Sequence, residues 1–207
     1  MATVTTTHPV LSLPLPAPAS VYRISVDQYD QMVETGVIGE DEPVELLGGV
    51  LVRQMPKYPR HVFPTEETRI RLEKIVPAGW YVRQEGPVRI PAVDEPEPDV
   101  AVARGDSRTY RKRHPGPKDI ALVVEVAAVR GSLTQARGDK LSAYARAAIP
   151  IYWIINLTRK PGVVEVYTRP TRTRGYRRQQ DYKARDLVPV VIDGREVGQI
   201  AVAELLP

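Results

Sequence analysis

Three ionisable residues stand where the chain otherwise places hydrocarbon. Glu125 lies inside Ala121-Leu122-Val123-Val124-Glu125-Val126-Ala127, a near-continuous apolar run that predicts a strand buried on both faces. A carboxylate there is costly unless it is paired or binds a metal. Asp99 opens a second apolar strand, Asp99-Val100-Ala101-Val102, directly after the acidic, proline-rich turn Asp94-Glu95-Pro96-Glu97-Pro98. Two carboxylates offered by neighbouring strands can hold a hard divalent cation, with water completing the octahedron. Lys140 is the third residue. On a helix predicted over about 133–147, wound at about 100° per residue, Ala147, Leu133, Ala136 and Tyr144 fall within about 40° of it. Asp139, Ser142, Arg146 and Gln135 fall opposite, so Lys140 sits in the middle of the apolar arc, where a lysine needs a partner. Asp, Glu and Lys around a cation can hydrolyse a phosphodiester. The metal polarises the phosphoryl oxygen and acidifies the attacking water, and the lysine steadies the developing charge. Plainer accounts exist singly: a buried salt bridge for Glu125, a turn or cap for Asp99, a snorkelling lysine for Lys140. The three together favour a site.

The elements that must position them follow from pattern and punctuation. Ser25 and Gln28 form a capping box for a short helix that Gly36 stops. Val44–Leu47 and Val50–Val52 flank Gly48-Gly49, a hairpin signal. A helix is expected over about 65–76, entered through Pro64 and ended by Pro77. Strands are expected at Trp80–Gln84, Pro87–Ile90, 98–102, Ile120–Ala127, Ile151–Leu157 and Val163–Thr168. A last hairpin turns at Asp193-Gly194, between Val188–Ile192 and Gln199–Ala203. Mixed strands with a few helices imply α/β or α+β architecture around one sheet. Residues 1–20, rich in Thr and then alternating Leu and Pro, predict a disordered tail, leaving 21–207 as a single domain.

Composition excludes several classes. The 207 residues include no Cys, which removes disulfide scaffolds, thiolate zinc sites and iron–sulfur clusters. No apolar run is long enough for a membrane span, and a secretory signal is not expected, so the chain reads as cytoplasmic. The formal net charge is +4, but it is unevenly spread. Between Thr158 and Arg185 nine basic residues face two acidic ones, and a second basic knot runs Arg104, Arg108, Arg111, Lys112, Arg113. Such clusters suit a polyanion, although a solvated basic face accounts for them equally well from charge alone.

An ordered set of motifs resembles the Uma-two restriction endonuclease family, within the PD-(D/E)XK nuclease superfamily. The set comprises Val44-Glu45-Leu46-Leu47-Gly48-Gly49, Met55-Pro56 with His61 downstream, Glu95-Pro96-Glu97-Pro98-Asp99-Val100, and Tyr110 with His114-Pro115. It continues with Leu122-Val123-Val124-Glu125-Val126, Lys140 with Tyr144-Ala145, and Ile149-Pro150-Ile151-Tyr152-Trp153-Ile154-Ile155. The resemblance implies an α/β, restriction-endonuclease-like mixed β-sheet flanked by helices, and a metal-dependent endonuclease acting on DNA with Mg²⁺ or Mn²⁺. Asp99 and Glu125 match the acidic motif positions, and Lys140 takes the role of the lysine expected where Ala127 stands. Glu45 matches a further acidic position that would complete the metal set, beside the alternative of an outward carboxylate on a hairpin edge. Two departures matter: the segment after Glu125 is longer than the family's, and Ala136 stands where an aspartate is usual. They support the rival reading of a catalytically impaired nuclease fold that binds nucleic acid or a partner without cleavage. Arg169, Arg172, Arg174, Arg177 and Arg178 are the expected backbone-phosphate contacts, and a homodimer suits cutting both strands of a duplex. His61 and His114 read as surface-loop histidines, Ser132 as a helix cap, and Trp80 and Trp153 as core.

Overall fold

The computed structural model describes residues 21–39 and 41–207; the tail expected over 1–20 lies outside the described residues. Six strands form the main sheet in the order β3-β4-β5-β6-β7-β8: β3 (Trp80–Gln84), β4 (Val100–Arg104), β5 (Ile120–Ala127), β6 (Ile151–Asn156), β7 (Val163–Thr171) and β8 (Gly175–Lys183). Only β5 and β6 run parallel; every other neighbouring pair is antiparallel. A parallel pair needs a crossover, and the helical segment 130–146 supplies it.

Both faces of the sheet are covered, which is why β5 and β6 are hydrocarbon apart from Glu125 and Asn156: all their residues are buried. On one face Val100, Val102, Leu122, Val124, Trp153 and Ile155 pack against Leu72 of helix α2 (Pro59–Ile75) and against the separate hairpin β9 (Leu187–Ile192) and β10 (Arg195–Ala201). On the other, Ala101, Ala103, Val123, Tyr152, Ile154 and Tyr167 pack against Ala136, Ala143 and Tyr144 of the crossover. Glu125 belongs to this second face. Helix α1 (Val26–Glu34), capped by the Ser25–Gln28 box, and the hairpin β1 (Val44–Leu47) and β2 (Val50–Arg53) complete the fold. Gly48 and Gly49 carry φ of +57° and +76°, the left-handed pair such a turn requires.

Several expectations need correcting. Helix α2 begins at Pro59, six residues before the predicted start, because proline is welcome in a first turn; Pro64 lies inside it and forfeits one helical hydrogen bond. Residues 87–90 are not a strand. Val88 N–H donates to Pro96 O and Arg89 N–H to Pro115 O, so loops satisfy this backbone instead of a ladder. The predicted single helix 133–147 is α3 (Arg130–Gln135), a π-turn (Ala136–Lys140) and α4 (Leu141–Arg146). Ser132 lies within α3, and Val129 is the cap. The arginine-rich stretch runs from the end of β7, which holds Arg169, through the 172–174 turn into β8, an edge strand. Trp153 is fully buried as expected, whereas Trp80 is half-buried, with the Arg104 guanidinium 4.3 Å over its ring.

Candidate active site

β4 starts at Val100, opposite Val124 of β5. Beyond that pair the Val126 N–H has no strand partner on the β4 side, and the Asp99 carboxylate takes its place: Val126 N–H donates to Asp99 Oδ2 at 2.7 Å. The sheet's own end therefore fixes Asp99 beside Glu125. His61, on the first turns of α2, puts Nε2 3.1 Å from the same Oδ2. Both partners of the Asp99 carboxylate thus sit on one oxygen.

Glu125 is buried and held from the crossover. Lys140 Nζ donates to its two oxygens at 2.9 and 3.0 Å, and the Tyr144 hydroxyl donates to Oε1 at 2.8 Å. Lys140 and Tyr144 are four residues apart on one helix face, so a single helix orientation satisfies both. Lys140 also donates to Glu97 O at 3.2 Å and lies 3.2 Å from Glu45 Oε2. Glu45 is buried and points inward from β1, accepting from Glu97 N–H at 3.0 Å and from Gln135 Nε2 at 3.1 Å. The hairpin β1–β2, the 94–99 segment, β5 and the crossover thus meet at one ammonium.

The π-turn that presents Lys140 is anchored three residues earlier. Arg137 makes a two-pronged bond to Glu165 of β7, Nε to Oε2 at 2.9 Å and Nη2 to Oε1 at 2.6 Å. Glu165 also accepts from Asn156 and Tyr167, and the Tyr152 hydroxyl donates to Ala136 O at 2.9 Å. π-turns occur often at functional sites; here one turn carries two cations to two buried glutamates on the same sheet face.

Electrostatics set the character of the cleft. Burial pushes the Glu125 carboxyl up to about 8, with Asp99 and Glu45 adding to the rise and Lys140 opposing it. Burial works against the Lys140 charge, yet Glu125, Glu45 and Asp99 hold its pKa above the usual lysine value, so it stays an ammonium. One cleft is lined by Glu45, Glu85, Glu97, Asp99 and Glu125 against only Lys57 and Lys140, a surplus of hard oxygen donors. Among the described residues no three His, Cys, Asp or Glu side chains form a ready-made metal cage; Lys140 stands where Glu45 and Glu125 converge.

The structure brings Glu45, Asp99, Glu125 and Lys140 into this cleft together. The five arginines are elsewhere. Glu125 lies in the same cross-strand row as Ile154 and Glu165, and the β7–β8 turn begins at Thr171. That turn is therefore roughly 20 Å along the strands and roughly 10 Å across them from Glu125. Sequence reasoning missed His61, Glu97 and Gln135. His61 reads as a loop residue only if the helix starts near residue 65; Pro59, a favoured first-turn residue, is the signal that α2 starts earlier. Tyr144 already shared the apolar arc with Lys140. No signal in the sequence placed Glu97 or Gln135 at the site.

Residues 26–198 match the Uma2 family, whose description is "Putative restriction endonuclease". A solved structure described as a "putative nuclease belonging to DUF820" from Anabaena variabilis is similar in fold, with a TM-score of 0.62 at 14% sequence identity, covering 88% of this chain and 97% of that one. No curated protein matches.

Proposed function

The chain belongs to the Uma2 family, and from that premise we propose that it is a divalent-metal-dependent endonuclease that hydrolyses phosphodiester bonds of DNA in this cleft. The observation that carries the reading is the convergence of Asp99 and Glu125, from adjacent strands, with Lys140 bonded to Glu125. The donor set is all oxygen and strongly acidic, which suits Mg²⁺ or Mn²⁺. Asp99 and Glu125 would hold the ion, with Glu45 completing the acidic surroundings. When bound, the ion supplies Lewis acidity toward the phosphoryl oxygen and lowers the pKa of the attacking water.

The chain's own groups do the rest. Lys140 retains its proton, so it is not a general base; it donates hydrogen bonds that orient water and stabilise charge building on phosphorus. Tyr144 holds Glu125, and His61 with the Val126 N–H holds Asp99. An acidic cleft repels a phosphodiester until a cation offsets it, so substrate entry itself is expected to depend on metal.

The test is a Mg²⁺ and Mn²⁺ titration of plasmid cleavage beside Asp99→Ala and Glu125→Ala. Metal-dependent nicking should fall by about 10²-fold or more in either variant, with the fold retained by circular dichroism. Cleavage by either variant at the wild-type rate would remove the assignment. A second reading, nucleic-acid binding without turnover, is favoured by one observation: Lys140 already engages both Glu125 oxygens and Glu45. Calorimetry separates the two, since the first requires Asp99-dependent Mg²⁺ binding and the second does not.

A further inference from the structure

The end of the sheet that carries the cleft is flanked by exposed cations on both sides. On one flank Lys57 lines the cleft beside Gln54, Met55 and Tyr58, whereas Arg53, paired with Val44 across the hairpin, lies on the face opposite Glu45. On the other flank Arg130 opens α3 beside Val129, which also lines the cleft. Arg159 and Lys160 follow β6 two and three residues after Leu157, whose N–H donates to Ala127 O, so they too sit at the Glu125 end. All five are exposed. Lys57 is paired with Glu85, and Arg159 with Asp181. Arg53, Arg130 and Lys160 have no ion-pair partner among the described residues.

Between the flanks the rim is apolar where solvent would favour polarity. Tyr58 is 62% exposed and Met55 50%, and both line the cleft mouth. Val62, one helical turn beyond Tyr58, is exposed as well. An exposed aromatic beside an acidic cleft, between exposed cations, has the composition of a single-strand platform: cations track phosphates and the ring receives a base. The β7–β8 turn has cations but lies roughly 20 Å along the strands from Glu125. Its ring Tyr176 is turned inward, the hydroxyl donating to Ile149 O.

We propose that the cleft rim, with Lys57 and Arg130 flanking it and Tyr58 at the mouth, is the polynucleotide-binding surface, and that it holds a strand with an unpaired base stacked on Tyr58. This rests on the nuclease reading and specifies its substrate: single-stranded or locally unpaired DNA in preference to continuous duplex.

The experiment is fluorescence-anisotropy binding of a labelled single-stranded oligonucleotide and its duplex, with Ca²⁺ as the cation, across a salt series. Lys57→Gln with Arg130→Gln should weaken single-strand binding on the order of tenfold near 0.1 M salt and flatten the log–log salt slope by about 1.4, as expected for two lost phosphate contacts. Tyr58→Ala should weaken it roughly 5- to 150-fold, while Tyr58→Phe stays near wild type. Arg172→Gln with Arg174→Gln should leave binding at the cleft unchanged. Loss of binding in that turn variant alone, equal affinity for duplex and single strand, or indifference to Tyr58→Ala would each overturn the proposal. None of these would touch the nuclease reading, which stands or falls on metal-dependent cleavage and on Asp99-dependent Mg²⁺ binding. Absence of DNA binding by the wild-type protein would overturn both.

Discussion

Buried carboxylates in this chain answer their burial in different ways. Glu165 has three partners: burial alone would raise its pKa, but the bonds from Arg137, Asn156 and Tyr167 bring it below the usual glutamate value. Glu95 is only 4% exposed, its Oε2 has no hydrogen-bond partner, and Arg89 stands 3.5 Å away. Burial and Asp30 push its carboxyl up to about 7 from 4.5, against the pull of Arg89. Below pH 4.5 both folded and unfolded states hold the proton and no penalty arises. Between 4.5 and 7 the unfolded chain releases it while the folded chain keeps it, so stability falls as pH rises, by at most about 3 kcal/mol. Glu95→Gln should therefore be stabilising at pH 8 and near-neutral at pH 5 in denaturant titrations. An equal effect at both pH values would show that Glu95 ionises normally. The Glu165 contribution has the opposite sign: its folded pKa is depressed, so its stabilisation is present above the unfolded value and is lost on acidification.

At the scale of elements, the crossover carries the strongest local expectation. A straight α-helix would give Arg137 and Lys140 one fixed angular relation; the π-turn alters it and still delivers each to its own glutamate. Arg137 is partly exposed, so screening tempers its worth. Its removal nonetheless leaves Glu165 buried with two partners fewer than its oxygens can accept. Arg137→Met should cost about 1–3 kcal/mol and slow metal-dependent plasmid nicking, because Lys140 loses its placement. Arg137→Lys should restore part of the stability but not the two-pronged geometry. A nicking rate unchanged in Arg137→Met would reduce the pair to a purely structural clamp. The crossover was legible as a helix with Lys140 inward because apolar periodicity survives a single irregular turn. The π-turn itself was not legible, since nothing in Gln135-Ala136-Arg137-Gly138-Asp139 marks an i→i+5 bond; it exists because Glu125 and Glu165 lie where they do.

Across the whole molecule, the sheet ends in two unpaired edges, β3 and β8, and the arginines expected to bind phosphate lie along or beside one of them. Exposed edges invite pairing with another copy, and charge is a common defence. Replacing Arg177 and Arg178 with Val should promote self-association visible by sedimentation velocity, most strongly at low salt. An unchanged sedimentation profile would mean that the edge needs no such guard. The apolar runs of β5 and β6, the capped α1 and the glycine hairpin were determined by the sequence alone, because each depends on residues within one turn or one strand of each other. The same holds for the identity of Glu125 as an anomaly, since hydrocarbon on both sides makes a lone carboxylate conspicuous without any partner in view. Tertiary structure decided which charges meet. Glu45 lies 95 positions from Lys140 and reaches it only because β1 packs against the 94–99 segment. His61 reaches Asp99 only because α2 starts early enough to bring its first turns to the sheet's end. The arginines are dense in sequence but distant from the cleft, because a strand pair extends away from the site at about 3.3 Å per residue. Composition records how much charge a segment holds, and only the register of the sheet records which end of it that charge occupies.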